Sequence, residues 1–166
     1  MIRAAVWTVS DSTHRGERED LSGPAVRRRV EAMGWTVTAA GVLPDEADTI
    51  REALARQAAS GEVDVILTTG GTGVSPRDVT PEATRAVIDK EIPGLGETMR
   101  LAGREKTPRA VLSRAVAGLA GRVLIVNLPG SPKGAVESLE AVIELIPHIV
   151  DLAAGRTGHP EAGQPA

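Results

Sequence analysis

The stretch VDVILTTGGTGVSPRDVTP, residues 63–81, decides the fold class of this chain. Its first part, residues 63–69, is a continuous apolar run, which is typical of a strand buried on both faces of a parallel sheet. The glycines that follow allow a sharp turn, and Thr80 with Pro81 is typical of the first turn of a helix. A buried strand that leads through a glycine-rich turn into a helix predicts an α/β unit. Turns in that position commonly bind ligands.

Strand and helix patterns alternate along the rest of the chain. The predicted strands cover residues 2–10, 35–43, 63–69 and 122–127, with a shorter, less regular element before the last. The predicted helices begin at the caps Ser22, Asp45, Thr80 and Ser131, with a further helix over 94–106. Pro147 is expected to break or kink the last helix, over 131–155. The alternation predicts one α/β domain over 1–155, with a mostly parallel sheet covered on both faces, and a disordered tail over 156–166.

The composition excludes several classes of function. The chain has 166 residues, a formal net charge of -3 and no cysteine, so disulfides, thiolate metal sites and cysteine nucleophiles are absent. Trp7 and Trp35 are its only Trp, Phe or Tyr residues, and its densest basic run, residues 27–29, is more typical of a solvated helix face or of an edge near an anionic ligand than of a nucleic-acid patch. No apolar run approaches the roughly 20 residues that span a bilayer, and the first residues do not resemble a signal peptide. We therefore expect a cytoplasmic protein that binds neither nucleic acid nor membrane.

Unusual turns follow the predicted strands. TVSDS ends the first strand, LPDEA the second, TTGGTG the third and NLPGSPK the last. The carboxyl ends of parallel strands meet at one edge of the sheet, where open α/β sheets bind their ligands. The four turns therefore predict one site.

The glycine loop, residues 70–73, has the features of an anion site. Its glycines allow several backbone N–H groups to converge on a phosphate, and Thr69 and Thr72 add hydroxyl donors. The sequence is neither a Walker A loop nor a dinucleotide fingerprint. A tight turn without ligand is the alternative, but the threonines and the Arg77–Asp78 pair favour phosphate binding.

Two carboxylates at this edge, Asp45 and Asp78, predict a magnesium site. Each has an ordinary alternative role at a helix N-terminus. Beside bound phosphates, however, carboxylates are repelled unless a cation lies between them, and Mg²⁺ is bound in this way in nucleotide enzymes. Lys133, beside the Ser131 cap, either strengthens the anion site or is a solvated charge. The residues alone predict an Mg²⁺-dependent protein that binds a phosphorylated ligand, with phosphoryl or nucleotidyl transfer as its chemistry.

Seven motifs in order resemble the molybdopterin adenylyltransferase family of molybdenum-cofactor biosynthesis proteins, whose domain also occurs in gephyrin. They are TVSD, DLSGP, LPDE, TTGGTGVSPRDVTPEAT, PGLGETMR, LSRAVAG and NLPGSPKGAVE, and the resemblance extends over residues 2–155. It implies a three-layer α/β/α fold, a homotrimer, and adenylylation of molybdopterin by ATP and Mg²⁺ with release of pyrophosphate. The product would pass to a downstream enzyme that inserts molybdate.

The resemblance also implies roles for particular residues. Asp45 and Asp78 match the essential acidic residues and would bind the metal, and Ser113 matches a pterin-site serine that has no local signal of its own. The glycine loop would bind a nucleotide or pterin phosphate. The remaining residues implied to line the pocket are Thr8, Ser10, Asp11, Thr69, Gly70, Gly71, Thr72, Gly73, Pro129, Gly130, Ser131 and Lys133.

Two alternatives stay open at this stage. The first is a pterin-binding or scaffold member of the same family that does not catalyse transfer. The second is a role in nucleotide-pool housekeeping like that of the related competence-damage proteins, whose motif order fits less well. The presence of both Asp45 and Asp78 favours the catalytic branch of the family.

Overall fold

A computed structural model describes residues 1–156 and contains one six-stranded sheet. The strands are β1 Arg3–Val9, β2 Thr36–Leu43, β3 Val65–Thr69, β4 Lys90–Glu91, β5 Ala117–Ala120 and β6 Val123–Leu128. The helices are α1 Asp11–His14, α2 Ser22–Ala32, α3 Ala47–Ala59, α4 Thr80–Arg85, α5 Pro93–Arg104, α6 Pro132–Glu140 and α7 Ile146–Ala153. Two 3₁₀ helices, Pro108–Leu112 and Ile143–Leu145, complete the described elements.

The sheet is mostly parallel, as predicted. Its strand order is β2-β1-β3-β6-β5-β4, and the first four strands in this order run parallel. The pairs β6–β5 and β5–β4 are antiparallel. The short edge strand β4 was not predicted, because two exposed residues carry no periodic signal. Every residue of β3 and β6 is buried, which explains their continuous apolar sequences.

Helices cover both faces of the sheet and confirm the predicted three layers. Leu67 of β3 packs in a core with side chains of α2, α5, α6 and α7. Its neighbour Ile66 points to the opposite face, where it packs against Ile50 and Leu54 of α3. Successive strand residues alternate between the two faces, so one central strand contributes to both cores.

Three of the predicted helix caps are wrong. The backbones of α2, α3 and α4 begin with no side-chain cap, and α2 and α4 include Ser22 and Thr80 as their first residues. The Ser22 hydroxyl lies 2.7 Å from Thr69 Oγ1, the Thr80 hydroxyl donates to Gly70 O at 2.9 Å, and Asp45 accepts a bond from a neighbouring turn. Long-range partners thus replace the local caps. Ser131 is a true cap, accepting from Gly134 N at 3.1 Å.

The C-terminal helical region is interrupted before Pro147. Helix α6 ends at Glu140, and Pro147 lies in the first turn of α7, where its missing N–H costs no hydrogen bond. Within residues 1–156, no helix is both long and apolar enough to cross a bilayer. Of the predicted tail, only Arg156 is described, and it pairs with Asp151 at 2.8 Å; residues 157–166 lie outside the described part of the chain.

Candidate active site at the carboxyl edge of the sheet

The turns after β1, β3 and β6 are in backbone contact. Gly70 has φ +94°, and an added Cβ there would collide with the carbonyl of Val9. A Cβ on Gly130 would lie 3.2 Å from the Cα of Gly70, and Gly70 N donates to Leu128 O at 3.0 Å. Only glycine fits both the angle and the space at residue 70. This contact brings three of the four predicted turns to one point.

A cleft of about 430 Å³ opens above this contact. The predicted site residues that line it come from all four turns: Thr8, Ser10, Asp45, Thr69, Gly70, Gly71, Asp78, Gly130 and Ser131. Arg18, Glu19, Asp20 and Ser22 also line it and were not predicted as site residues. The cleft therefore presents four carboxylates against one guanidinium, and a bound polyphosphate would need a cation there.

Asp11 does not line the cleft but fixes Asp45. Asp11 N donates to Asp45 Oδ2 at 2.8 Å, and Asp45 N donates to Asp11 Oδ1 at 2.9 Å. The Asp11 carboxylate also receives two bonds from Arg77, Nε at 2.9 Å and Nη2 at 3.0 Å. The bond from the Asp45 backbone, and next the Arg77 guanidinium, lower the pKa of Asp11. The turns after β1 and β2 and the glycine loop are thus bonded together.

Asp45 and Asp78 each keep one oxygen for a ligand. Asp45 Oδ1 lies over Gly71, 3.2 Å from the position of an added Cβ, and Asp78 Oδ2 accepts from Ser75 N at 2.9 Å. Among residues 1–156, Asp45 Oδ1 and Asp78 Oδ1 have no hydrogen-bond partner. Burial raises the pKa of Asp45, and the nearby carboxylates of Asp11 and Asp78 raise it further. A cation between Asp45 and Asp78 would relieve this repulsion.

The two carboxylates fit a magnesium ion that is shared with substrate. The described residues contain no group of three His, Cys, Asp or Glu side chains that could hold a metal unaided. Mg²⁺ commonly takes one or two carboxylates and completes its octahedron with water and substrate phosphates. Asp45 and Asp78 are the residues that would hold it.

Asp20 and Ser22 are site residues that the sequence analysis missed. Asp20 Oδ2 accepts from Thr8 Oγ1 at 2.8 Å, and Asp20 Oδ1 accepts from Gly23 N at 3.0 Å. Ser22 bonds to Thr69 in the floor of the cleft. The DLSGP segment was assigned only to the start of α2 and to the family resemblance. Asp20 could have been predicted, because it is an acidic residue between a strand and the start of a helix, as Asp45 is.

A second cavity of about 210 Å³ adjoins the cleft and contains Ser113. Ser131 lines both, and Pro129 lines the second cavity. Side chains on its walls include Met99, Arg100, Arg109 and Ser138. The cleft has four carboxylates and one guanidinium, whereas the second cavity has two arginines and one carboxylate, Glu137, so the two spaces differ in charge.

The remaining predicted residues lie outside both cavities. Thr72 is buried, and its carbonyl accepts from Arg114 N at 2.8 Å, while the Gly73 carbonyl accepts from Arg114 Nε at 2.7 Å. The Lys133 side chain is 86% exposed, with its Nζ 3.9 Å from Glu137 Oε1. Thr72 and Gly73 thus connect the glycine loop to Arg114 through their carbonyl groups. The exposed Lys133 agrees with the alternative that its charge is solvated.

A family model described as "Probable molybdopterin binding domain" matches residues 5–148. The chain belongs to this family. Molybdopterin adenylyltransferase of Helicobacter pylori strain J99 is 41% identical over 156 residues, which cover 93% of this chain and 89% of the relative. The molybdenum cofactor synthesis protein cinnamon of Drosophila melanogaster is 43% identical over 152 residues, or 91% of this chain and 25% of cinnamon, so this chain matches about a quarter of that protein.

A solved structure of a family relative has the same fold. The molybdopterin biosynthesis enzyme MoaB of Thermus thermophilus superposes with a TM-score of 0.88 at 52% identity, covering 93% of this chain and 98% of MoaB. In the present chain, the turns that line the cleft belong to the TVSD, LPDE, TTGGTG and NLPGSPK motifs, on which the family resemblance rests.

Two glycines of the family domain provide a matched test of the loop. Gly61 and Gly71 both have positive φ, +74° and +68°, but an added Cβ meets nothing at Gly61 and overlaps Thr80 Oγ1 at Gly71. We expect Gly61→Ala to lower the free energy of unfolding by roughly 1 kcal/mol, from backbone strain alone. Gly71→Ala should cost about 1–2 kcal/mol more, because it displaces the Thr80 bond to Gly70.

Calorimetric titration with MgATP should separate the same pair. Affinity should fall at least about tenfold in Gly71→Ala, where the loop surface is altered, and stay unchanged in Gly61→Ala. Equal MgATP affinity in the two folded variants would contradict the assignment of this loop to phosphate.

Asp45 should reduce the stability of the ligand-free protein. Its pKa is raised above the ordinary value of 3.8, so the folded state binds its proton more tightly than the unfolded state does. The free energy of unfolding therefore falls as pH rises from the ordinary value through the raised one. Asp45→Asn removes this loss and keeps an oxygen for the Asp11 N–H, so its melting temperature at pH 7 should equal or exceed that of the parent.

Asp64→Asn is the control with the opposite sign. The hydrogen bond from Arg3 lowers the pKa of Asp64, so its contribution is present above the ordinary value and is lost as pH falls through the lowered one. The melting temperature of Asp64→Asn should therefore be lower than that of the parent at pH 7, and the two melting temperatures should converge in acid. An Asp45→Asn variant that also melted earlier at pH 7 would show that Asp45 is a structural residue.

Proposed function

We propose that this protein is a molybdopterin adenylyltransferase, which transfers the adenylyl group of ATP to molybdopterin and releases pyrophosphate. The observation that carries the proposal is the pair of adjoining cavities. One is acidic, has a glycine loop and has two carboxylates with open oxygens; the other is less polar and contains Ser113. The family and its relatives named molybdopterin adenylyltransferase support this assignment.

The cleft would hold ATP. Gly71 of the glycine loop, Gly130 and Ser131 line this space, and their backbone N–H groups would bind the phosphates. Asp45, in the turn after β2, and Asp78, just before α4, would hold the Mg²⁺ of MgATP. The ion would withdraw charge from the phosphate oxygens as transfer proceeds. The two carboxylates thus act on the reacting phosphates without contacting the pterin.

The second cavity would hold molybdopterin. Its less polar walls suit a flat heterocycle, and Ser113, Thr107 and Ser138 supply hydroxyl groups. Because Ser131 lies in both cavities, a nucleophilic oxygen of molybdopterin could reach the α-phosphorus of ATP at their junction. That oxygen would form the new P–O bond, and the bond to the leaving pyrophosphate would break.

A non-catalytic pterin-binding protein of the same family is the second candidate. Such a protein would need only the second cavity. A non-catalytic function does not explain why Asp45 and Asp78 both line the cleft with one carboxylate oxygen that accepts no hydrogen bond from the described residues. Pyrophosphate release on incubation with molybdopterin, ATP and Mg²⁺ distinguishes the two. Binding of molybdopterin without pyrophosphate release would favour the non-catalytic candidate.

Replacing either carboxylate should remove chemistry and leave pterin binding. We expect Asp45→Asn and Asp78→Asn each to lower adenylyl transfer at least about a hundredfold, the usual scale for losing one electrostatic contributor to the transition state. Molybdopterin affinity should change far less, since Ser113 and the second cavity are intact. Pyrophosphate release and fluorescence titration with molybdopterin provide the two measurements.

Ser113→Ala is the complementary control for this pair. Its hydroxyl lies in the second cavity, so it should weaken molybdopterin binding and leave MgATP affinity near that of the parent. The proposal is wrong if Asp45→Asn or Asp78→Asn retains near-normal turnover, or if pterin binding is lost in step with activity.

We further propose a cytoplasmic homotrimer that passes its product to a molybdate-insertion enzyme. Helix α5 and the neighbouring 3₁₀ helix carry exposed aliphatic side chains, Leu101 at 66%, Val111 at 52% and Leu112 at 53%, as an interface of a chain without Phe or Tyr would need. Light scattering at micromolar concentration should give about three times 17.3 kDa. A monomeric mass would reject the trimer and leave the fold assignment untouched.

A further inference from the structure

Arg114 binds the two residues that flank the exposed segment 74–77, which follows the glycine loop. Its Nε donates to Gly73 O at 2.7 Å, and its Nη2 donates to Asp78 O at 2.7 Å. Its backbone N donates to Thr72 O at 2.8 Å, and its Nη1 pairs with Glu82 of α4. The guanidinium therefore spans the base of this segment and anchors it to the first turn of α4.

This arrangement fixes the backbone that carries Asp78. Asp78 follows directly on the segment, and its backbone N donates to Ser75 O at 2.9 Å while its Oδ2 accepts from Ser75 N at 2.9 Å. These bonds join close neighbours in the chain and do not orient Asp78 relative to the sheet, while the bonds from Arg77 to Asp11 connect the exposed end of the segment to the turn after β1. The bonds from Arg114 to Gly73 and Asp78 connect it to the chain that enters β5.

We propose that Arg114 is a positioning residue, which holds Asp78 at the distance from Asp45 that a shared cation requires. The inference rests on the proposed function, because the cation in question is that of MgATP. Arg114 lines neither the cleft nor the second cavity. It acts on the reaction only through the placement of the Asp78 carboxylate.

Arginine is required here by the geometry of its donors. Three groups in different directions, the carbonyls of Gly73 and Asp78 and the carboxylate of Glu82, receive bonds from three different nitrogens. The planar guanidinium holds donors in such a fixed fork, whereas a lysine ammonium is one point charge on a flexible stem. Arg114→Lys would keep the charge and the ion pair with Glu82 but lose the simultaneous bonds to the two carbonyls.

Arg3 offers a matched control at the opposite edge of the sheet. Its Nη1 donates to Gly61 O at 2.7 Å, and its Nε and Nη2 donate to Asp64 at 3.2 and 2.8 Å. Its side chain is 43% exposed, against 35% for Arg114. Both arginines thus join a carbonyl to a carboxylate, but only Arg114 lies behind the cleft.

Arg114→Lys and Arg3→Lys should separate positioning from stability. We expect similar melting temperatures for the two variants. The turnover number of Arg114→Lys should fall about 10- to 100-fold, the range expected when a group is displaced by about 1 Å, and its MgATP dissociation constant should rise several-fold. Its KM for molybdopterin should stay within about twofold of the parent. Arg3→Lys should match the parent in turnover and in both affinities.

A double-mutant cycle with Asp78→Asn decides whether Arg114 acts through Asp78. In that background Arg114→Lys should reduce turnover and MgATP affinity by less than about twofold, because the group it positions is already absent. Equal losses with and without Asp78 would overturn the proposal, as would a loss no larger than that of Arg3→Lys.

The calorimetric cycle keeps this inference separate from the proposed function. A parent protein that binds MgATP but transfers no adenylyl group would overturn the transferase assignment. The MgATP affinities of the four proteins in the cycle would then still decide the role of Arg114: non-additive losses support it, and additive losses reject it.

Discussion

The contact between the backbones of Gly70 and Gly130 is the constraint on which the site depends. A Cβ at residue 70 would collide with the Val9 carbonyl, and the φ of +94° is one that L side chains rarely adopt. Because both conditions fall on one residue, the turns after β1, β3 and β6 approach closely enough to share a single cleft. A Cβ at residue 70 would push the glycine loop away from the turn after β1, and a Cβ at residue 130 would press on Gly70, so the three turns could no longer approach this closely.

The electrostatics of the cleft favour the binding of a cation at this edge of the sheet. Asp45 is partly removed from water and lies near the carboxylates of Asp11 and Asp78, so its charged form is disfavoured and its pKa raised. A protein selected for stability alone would not retain such a carboxylate. Its backbone partner Asp11 differs, because hydrogen bonds from the Asp45 backbone and Arg77 satisfy its charge. Two neighbouring carboxylates therefore have opposite pKa shifts, one from structural pairing and one from burial beside an open site.

The sequence predicted the strands, the helices and the edge of the sheet where the turns meet, but it did not predict the long-range hydrogen bonds. The apolar runs of β3 and β6, the Ser131 cap and the convergence of four turns all follow from local patterns, and the structure contains each of them. Ser22 and Thr80 were read as helix caps because a hydroxyl before an apolar run has that meaning locally. Their actual partners, Thr69 and Gly70, are 47 and 10 residues away. No periodicity encodes such a contact.

Particular site residues show the same limit. Asp11 was predicted in the pocket and instead supports Asp45 from behind, while Lys133 is exposed outside both cavities. Arg114 lies in the LSRAVAG motif but was given no role, since its partners, two backbone carbonyls and the Glu82 carboxylate, lie far away in the sequence. Ser113 was found only through the family resemblance. Side-chain type and spacing therefore predicted where the site is, and tertiary hydrogen bonding decides which residues face it.

The bonds that hold residues 70–80 differ in exposure along this stretch. The buried hydroxyl of Thr80 holds Gly70 at the floor of the cleft, and the half-buried Arg114 holds Gly73 and the backbone of Asp78. At the tip, Arg77 binds Asp11 with a side chain that is 60% exposed, and solvent screens such a pair. The tip contact is thus the weakest of the three and can open without disturbing the others. The floor and the Asp78 backbone are held by these other bonds, so the MgATP site that we propose would be formed before the nucleotide arrives.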